Sequence, residues 1–286
     1  MSDTMSIDVA NIARFSDGGS SKPQIQHRLD MCRAWGIPQE SKVLEIGCGQ
    51  GDCTLVIAYV VGDEGHVTAI DPAPLDYGAP MTLGEAQARL KESPIGGRMS
   101  FHESNLEGFL ASSASEALYD YAVFVHSIWY LPSEGVLQKM LAALRGRTKH
   151  LLIAEYSLDI RGDTAALPHM LAAISQAEFN SRDAAIDQSD NIQSIMSPQT
   201  ITQLASQASW ELQKEEIVES PEGLEDGRWE VSRVLSKKYR DRLGSSGDSQ
   251  RQGFSNSLIF AVEESMRALG PSPVPRTLPT WIGSWI

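Results

Sequence analysis

The sequence is poor in basic residues and has no long apolar runs. Its 286 residues hold 24 Lys and Arg against 37 Asp and Glu, which gives a formal net charge of −13. Nucleic acids and anionic membrane surfaces repel an acidic chain, so neither is expected as a partner. No stretch approaches the roughly 20 apolar residues of a membrane-spanning helix. The first residues lack the basic start and apolar run of a secretory signal, so none is expected.

Cysteine is scarce as well, and Cys32, Cys48 and Cys53 make up the full set. An odd and low number argues against a disulfide framework, and no histidine stands at metal-ligand spacing from these residues. We therefore expect reduced thiols and a cytoplasmic protein.

Hydrophobic residues make up 42% of the chain and charged residues 21%, which is an ordinary globular composition. Short apolar runs alternate with segments of helical periodicity. Strands that are apolar on both faces are typical of parallel sheets covered by helices on both sides. The pattern therefore predicts an α/β fold with a seven-stranded, mostly parallel sheet. The strands are expected over residues 42–46, 66–70, 99–102, 119–125, 150–154, 210–218 and 279–286.

Two parts of the chain fall outside this alternation. Residues 1–22 are polar and end in a Gly/Ser run, which indicates a flexible N-terminal arm before a domain over residues 23–286. Towards the C-terminus, helical segments over 163–196 and 227–270 interrupt the strand pattern. The Ser/Gly-rich link within the second segment is too short to mark a domain boundary. Both segments are therefore predicted to be helical insertions.

A glycine-rich turn between the first strand and the next helix is the most informative segment. It reads Glu45-Ile46-Gly47-Cys48-Gly49-Gln50-Gly51. Glycines in such a turn allow positive φ angles and let a ligand touch the backbone. Asp71 ends the next strand, where a carboxylate can hold two ribose hydroxyls. Because ligands of α/β sheets bind beyond the C-terminal strand ends, the turn predicts a nucleoside-binding site.

Three details argue against a phosphate-bearing ligand at this turn. The dinucleotide pattern places its third glycine where this chain has Asp52. A fixed Glu45 carboxylate at the strand tip opposes a pyrophosphate and favours a ligand that carries an ammonium group. No lysine follows the turn, which excludes a P-loop.

At these residues the sequence resembles class I S-adenosylmethionine-dependent methyltransferases of the small-molecule type. The stretch 45–51 is similar to the family's first motif and Asp71 to its second. Residues 102–106 resemble the segment that contacts adenine, and 119–131 the strand whose end faces the methyl group. The resemblance covers residues 25–156. It implies a Rossmann-like sheet, S-adenosylmethionine as methyl donor and S-adenosylhomocysteine as product.

The resemblance also implies roles for single residues. Glu45 would attract the methionine ammonium, and Asp71 would take the ribose hydroxyls. Asn105 and Leu106 would meet the adenine. The cofactor-binding set that follows is Glu45, Gly47, Cys48, Gly49, Gln50, Gly51, Asp71, Pro72, Asn105, Leu106 and His126.

His126 and Glu155 are the candidate catalytic residues, because they stand at the ends of the fourth and fifth strands. The imidazole pKa suits a general base, although cofactor contact and packing are equal alternatives for His126. A buried Glu155 would act as a base or orient an amine. The two helical insertions are expected to cover the acceptor site. The side chains expected to line this site are His27, Trp129, Tyr130 and Tyr156.

Neither a metal nor a nucleic-acid acceptor is predicted. A metal-assisted enzyme would need acids clustered at the fourth and fifth strand ends, but Asp120 lies at the start of its strand. The segment His126-Ser127-Ile128-Trp129 also differs from the Asp/Asn-Pro-Pro-aromatic arrangement of nucleic-acid amino-methylating enzymes.

Three functions remain open from the sequence. The first is methyl transfer to a small molecule, with specialised metabolism as the usual setting of similar enzymes. The second is a rearrangement or cyclisation aided by the bound sulfonium without methyl transfer. The third is a regulator without enzymatic activity, which the intact motif residues disfavour. The sequence predicts no oligomeric state.

Overall fold

A single mixed sheet forms the centre of the protein. The computed structural model describes residues 9–16, 20–112, 118–181, 192–244 and 249–286. Seven strands lie in the order β3-β2-β1-β4-β5-β7-β6. The first five are parallel neighbours, whereas β7 runs antiparallel to both β5 and β6. Their bounds are β1 Lys42–Ile46, β2 His66–Asp71, β3 Met99–Glu103, β4 Tyr119–Val125, β5 Thr148–Tyr156, β6 Leu212–Val218 and β7 Thr280–Trp285.

Helices flank this sheet and extend beyond it. Those that alternate with the first five strands are α1 Val9–Ala13, α2 Lys22–Trp35, α3 Asp52–Val61, α4 Leu83–Glu92, α5 Leu106–Ala111 and α6 Glu134–Leu144. Those in the second half of the chain are α7 Leu167–Asn180, α8 Pro198–Gln207, α9 Asp226–Leu235, α10 Lys237–Gly244 and α11 Ser249–Ala268.

Alternate residues of the central strands enter two separate apolar layers. Val43 packs into the layer that holds α2 and α3, whereas its neighbour Leu44 packs into the layer that holds α6 and α8. A strand places successive side chains on opposite faces, so a continuous apolar run is what a doubly covered sheet requires. The predicted α/β fold with its seven-stranded, mostly parallel, Rossmann-like sheet is confirmed.

The larger differences from the predicted strand bounds lie in β5 and β6. β5 continues to Tyr156, because Glu155 and Tyr156 pair with the antiparallel strand β7. β6 begins at Leu212 and leaves Trp210 outside the sheet. The Trp210 indole is buried and donates to the Leu141 carbonyl at 2.9 Å, so packing against α6 decides its position.

The predicted helical insertions form a third apolar cluster. Residues of α7, α9, α10 and α11 pack together in it, including Phe179, Val231 and Val262. Helix α11 starts at Ser249 and therefore takes up part of the link that the sequence assigned to a Ser/Gly connection. Residues 182–191 and 245–248 of these insertions lie outside the described residues.

The described part of the N-terminal arm is packed onto the domain. The sequence predicted a flexible arm over residues 1–22, but α1 forms within it and buries Ile12 completely. Ile12 shares an apolar cluster with Ile25 of α2 and Ile57 of α3. This corrects the prediction for these residues, because one buried isoleucine in a polar segment gives too weak a pattern to indicate a helix.

Among the helices of the described ranges, none is both long and apolar enough to cross a bilayer.

Replacing Ile12 by alanine tests whether the arm contributes to stability. We expect Ile12→Ala to lower the free energy of unfolding by about 2–5 kcal/mol, because it leaves a cavity under α1. Urea unfolding followed by circular dichroism measures the change. Arg14→Ala, an exposed position just after the helix, is the control and should be neutral. Equal stability of both variants would show that the arm is dispensable for folding.

Candidate active site

Three glycines shape the bend that follows β1. The amides of Gly47 and Cys48 donate to the Ile70 carbonyl of β2 at 2.9 and 3.2 Å, and the Gly51 amide closes the turn onto Cys48. Gly47, Gly49 and Gly51 all have positive φ angles, between +52° and +93°. Residues that carry a side chain rarely adopt such angles. The backbone of this turn therefore requires glycine at these alternate positions.

The three glycines differ in what surrounds them. A Cβ atom at Gly47 would lie 2.5 Å from the Cβ of Ser127, and one at Gly51 would lie 2.6 Å from a methyl of Leu90. A Cβ atom at Gly49 would meet no atom within 4 Å. Gly47 and Gly51 are therefore packed against the protein, whereas Gly49 presents bare backbone to open space.

Asp71 holds the open glycine in place. Its Oδ2 accepts the Gly49 amide at 2.8 Å, and its Oδ1 accepts the Ala73 amide at 2.9 Å. Each carboxylate oxygen has two lone-pair sites, so one site on each remains for a ligand hydroxyl. The position fits the predicted pairing of Asp71 with two ribose hydroxyls.

Two glutamine side chains form hydrogen bonds that connect the same bend to α4 and to the loop before it. Gln87 of α4 donates to the Gly49 carbonyl at 2.8 Å. Gln50 donates to the Met81 carbonyl at 2.6 Å and so faces the loop before α4. Gln50, which was predicted to bind the cofactor, thus contacts the loop before α4. Pro72, from the same predicted set, is exposed at the start of that loop.

Glu45 lies below the bend, and its burial changes the electrostatic argument made from the sequence. The side chain is 2% exposed and accepts a 2.5 Å hydrogen bond from Thr54. Burial, with smaller contributions from Asp52 and Asp71, raises the pKa of Glu45 to about 8. The carboxyl group is therefore mostly protonated at pH 7, whereas the sequence argument took it as a fixed negative charge.

The segment after β3 carries the residues predicted to meet adenine. Asn105 is the N-cap of α5, and its side-chain oxygen accepts the Gly108 amide at 2.8 Å. This capping role explains an asparagine at this position. Leu106 follows as a buried residue. Both stand at the sheet edge next to β2, on the side where Asp71 lies.

His126 stands at the tip of β4 in a left-handed conformation, with φ at +50°. Its Nδ1 lies 3.5 Å from Glu155 Oε1, and its Nε2 lies 3.4 Å from Thr280 Oγ1. One face of the ring stacks on Tyr156, with 4.2 Å between the ring centroids. Both ring nitrogens therefore face protein groups.

Glu155 is buried and holds the turn after β4. Its Oε2 accepts the amides of Ile128 and Trp129 at 3.1 and 3.2 Å. Its Oε1 accepts the Tyr156 amide at 3.0 Å. Three backbone donors thus occupy the carboxyl group that was predicted to serve as a base. The geometry favours a positioning role for it.

His27 of α2 lies next to His126, although the two are 99 residues apart in sequence. It is fully buried, and its Nε2 lies 3.0 Å from Thr280 Oγ1 of β7. The His27 and His126 rings stack with centroids 5.6 Å apart. Burial, followed by the charges of His126 and Arg28, holds the pKa of His27 well below its usual range. His27 is therefore neutral at pH 7.

The predicted aromatic lining divides into two kinds of residue. Trp129 is buried, and its indole donates to the Met196 carbonyl at 3.0 Å, so it is a packing residue rather than a pocket wall. Tyr130 is 48% exposed. The Tyr156 hydroxyl donates to Asp226 Oδ1 at 3.0 Å. Tyr130 and Tyr156 thus remain as candidate walls.

Sequence reasoning missed Arg28, Asp226 and His169. Arg28 follows His27 in α2 and is buried. Asp226 begins α9 and reaches Tyr156 from 70 positions further along the chain. His169 is fully buried with its ring edge against Tyr156, at 4.8 Å. Adjacency to His27 was a signal for Arg28, whereas no local pattern marks the other two.

Fold and site together define a class of protein. An open glycine, an acid that fixes it and a mostly parallel sheet whose order changes direction at β1 form the ligand-binding crevice of a Rossmann-like α/β protein. Residues 43–148 match the model of a family described as a methyltransferase domain.

Two similar proteins align with almost the whole chain. Methyltransferase phomM' from Diaporthe leptostromiformis is 25% identical, over 91% of this chain and 82% of that protein. A cyclopropane-fatty-acyl-phospholipid synthase-like protein from Lactobacillus casei ATCC 334 is 29% identical, with a TM-score of 0.80 over 97% of this chain and 99% of that one. These findings support the prediction of a class I S-adenosylmethionine-dependent methyltransferase.

A third similarity concerns the fold alone. Geranyl diphosphate methyltransferase, solved in complex with S-adenosylmethionine, is 11% identical over 98% of this chain and 91% of that one. The TM-score of 0.52 shows that the same sheet and helices recur in it.

The raised pKa of Glu45 predicts a specific dependence of stability on pH. Between its usual pKa of 4.5 and about 8, the unfolded chain ionises Glu45 while the folded chain keeps the proton. The group therefore costs stability as pH rises through this window, by at most about 1.4 kcal/mol per pH unit. Glu45→Gln removes this cost, so the variant should gain on the wild type from pH 5 to pH 8.

Urea unfolding at several pH values across that window checks the expectation. Glu92→Gln, at an exposed end of α4, is the matched control and should follow the wild-type profile. A Glu45→Gln profile parallel to that of the wild type would mean that Glu45 is ionised in the folded protein.

The open space at Gly49 predicts a loss of ligand affinity without a loss of fold. Gly49→Val should abolish binding of S-adenosylhomocysteine in calorimetry, because the side chain would fill the space that the ligand needs. Gly146→Val is the matched control, since Gly146 also has a positive φ and open surroundings but precedes β5 at the opposite end of the sheet. Similar melting temperatures with unequal affinity are expected, and equal affinity in both variants would contradict the site.

Proposed function

We propose that this methyltransferase transfers the methyl group of S-adenosylmethionine to a small-molecule acceptor in specialised metabolism. The observation that carries the proposal is the bare backbone at Gly49, backed by the Asp71 carboxylate, at the switch point of the sheet. Such a corner accepts a ribose and an amino-acid chain without the donors that a pyrophosphate needs. The residues beyond the strand tips are buried, which supports a small acceptor.

In this proposal the protein residues bind the cofactor, orient the reactants and exclude water from the site. When bound, the cofactor supplies a methyl group on a sulfonium, which leaves as a thioether once a nucleophile attacks. Asp71 binds the ribose, and Leu106 covers the adenine side. His126 and Glu155 hold the turn after β4 and the ring of Tyr156 beside the reacting centre. Holding the reactants in line in a dry site is the main contribution to the rate.

The geometry argues against His126 as the general base. His126 directs both nitrogens towards protein groups, so we assign it as a positioning residue. The hydroxyl of the neighbouring Tyr156 donates a hydrogen bond to Asp226 Oδ1. The other carboxylate oxygen, Asp226 Oδ2, has no hydrogen-bond partner among the described residues. A base is needed only for an acceptor that is protonated at the working pH.

The name of the Lactobacillus casei protein suggests an apolar acyl acceptor. The side chains around Tyr156 argue for a more polar acceptor here, because Arg28, Asp226 and His169 are charged or polar groups in a buried place. We also propose that no metal, nucleic acid or membrane takes part, and the cytoplasmic location stays a prediction.

Calorimetry with S-adenosylhomocysteine tests the cofactor site. Asp71→Ala should weaken binding by about 1.5–3 kcal/mol, the range for hydrogen bonds to a charged group. Glu64→Ala, an exposed acid in the turn before β2 at the opposite end of the sheet, is the control and should bind as the wild type does. Absence of binding to the wild type, together with binding of a nicotinamide or flavin dinucleotide, would refute the proposal.

Methyl-labelled S-adenosylmethionine tests the reaction itself. The wild type should move the label to an acceptor from a mixture of amines, phenols and carboxylic acids, and Asp71→Ala should do so more slowly. Conversion of an acceptor with the label left on the cofactor would instead favour the rearrangement or cyclisation. Cofactor binding with no conversion of any kind would favour a regulator.

A further inference from the structure

A buried guanidinium lies beside the site, and two of its nitrogens have no hydrogen bond in the described parts of the chain. Arg28 is 8% exposed, and its Nε and Nη1 atoms have no partner among the described residues. Its helix is rigidly placed, because Ser21 and Gln24 form a capping box at the start of α2. Burying a charged donor without a partner is costly, so this arrangement indicates a group that is bound there when the protein works.

A half-satisfied carboxylate stands in the same region. Asp226 Oδ1 accepts the Tyr156 hydroxyl, while Oδ2 is buried and has no partner among the described residues. Burial alone would raise the pKa of Asp226, but Arg28 and His126 outweigh it and lower the pKa. Asp226 is therefore ionised at pH 7 and has an oxygen free to accept a hydrogen bond.

The two opposite charges attract each other across a gap. Burial alone would lower the pKa of Arg28, but the carboxylates of Asp226 and Asp52 outweigh it and raise the pKa. Even so, no carboxylate oxygen in the described parts of the chain comes within 4.0 Å of the Arg28 nitrogens. A bound molecule with an acceptor at one end and a donor at the other would satisfy both.

His169 adds a third unsatisfied group near Tyr156. Burial lowers the pKa of His169 to about 4, so the ring is neutral at pH 7. Its Nδ1 accepts the Leu278 amide at 3.0 Å, which places the ring proton on Nε2. That Nε2 is buried and has no partner among the described residues. Unpaired polar groups of both signs thus gather around one tyrosine.

We propose that Arg28 and Asp226 bind the two charged ends of an α-amino-carboxylate: the carboxylate on the Arg28 guanidinium and the ammonium on Asp226 Oδ2. The planar guanidinium matches a carboxylate in bidentate geometry. The inference rests on the proposed function and has two possible sources of ligand. One is the methionine end of the cofactor, and the other is an amino-acid-like acceptor.

The first arm of the test addresses the cofactor. Calorimetry compares S-adenosylhomocysteine with its decarboxylated analogue, which differs only in the carboxylate. If the cofactor is the source, the wild type prefers the former by about 10- to 100-fold. Arg28→Met should abolish that preference, and Asp226→Asn should weaken both ligands, because both carry the ammonium.

The second arm addresses the acceptor on protein saturated with S-adenosylhomocysteine. Ligand-observed NMR compares tyrosine with tyramine, which lacks the carboxylate, and with desaminotyrosine, which lacks the ammonium. The phenol ring suits the half-exposed ring of Tyr130. If the acceptor is the source, tyrosine binds best. Arg28→Met should then remove its advantage over tyramine, and Asp226→Asn its advantage over desaminotyrosine.

Matched controls separate binding from folding. Arg33→Met changes an exposed arginine of the same helix, and Asp241→Asn an exposed aspartate of α10, so neither should alter any preference. Arg28→Lys keeps the charge opposite Asp226 and serves if Arg28→Met fails to fold. It should lose part of the carboxylate preference, because an ammonium cannot bind it bidentately.

The outcomes distinguish this inference from the proposed function. Failure of the wild type to bind S-adenosylhomocysteine would remove the proposed function. Binding of S-adenosylhomocysteine without an Arg28-dependent carboxylate preference in either arm would leave that function standing and overturn the inference. Arg28 and Asp226 would then be an ion pair bridged by water.

Discussion

The hydrogen bond from the Gly49 amide to Asp71 is the contact on which the site depends. It joins the bend after β1 to the end of β2 at 2.8 Å and fixes the direction of the open backbone. Without it, a glycine with free space on one side would have many conformations of similar energy. The same carboxylate keeps lone pairs for the ligand, so one side chain both builds the corner and is exposed to what binds there.

The other side of the corner is fixed by packing rather than by charge. Ser127 touches Gly47 and donates to the Ile46 carbonyl at 2.9 Å, which ties the tips of β1 and β4 together. Glu155 then holds the next residues of the same turn through their amides. The tips of β1 and β4 and the turn after β4 are therefore held together as one unit.

The sheet and the glycine bend after β1 were predictable because their signals are local in sequence. An apolar run such as residues 42–46 specifies a buried strand by itself, and glycines at alternate positions specify a bend by themselves. The charge on Glu45 was not predictable in this way. Its pKa depends on how completely the folded chain excludes water, and a sequence pattern does not contain that quantity.

The region around Tyr156 was beyond local prediction for a related reason. Arg28, Tyr156, His169 and Asp226 come from α2, β5, α7 and α9, and the antiparallel strand β7 brings Thr280 between two imidazoles. Each of these residues looks ordinary in its own segment: an arginine on a helix, or an aspartate at a helix start.

Only the tertiary arrangement gives Arg28, His169 and Asp226 buried polar atoms that have no hydrogen bond within the described ranges. A chain that carries this cost near its reacting centre gains binding energy when a ligand pairs those groups. A purely apolar acceptor would leave these polar groups unpaired and would not offset the cost of burying them. The polarity of these groups therefore supports the proposed polar acceptor over an apolar one.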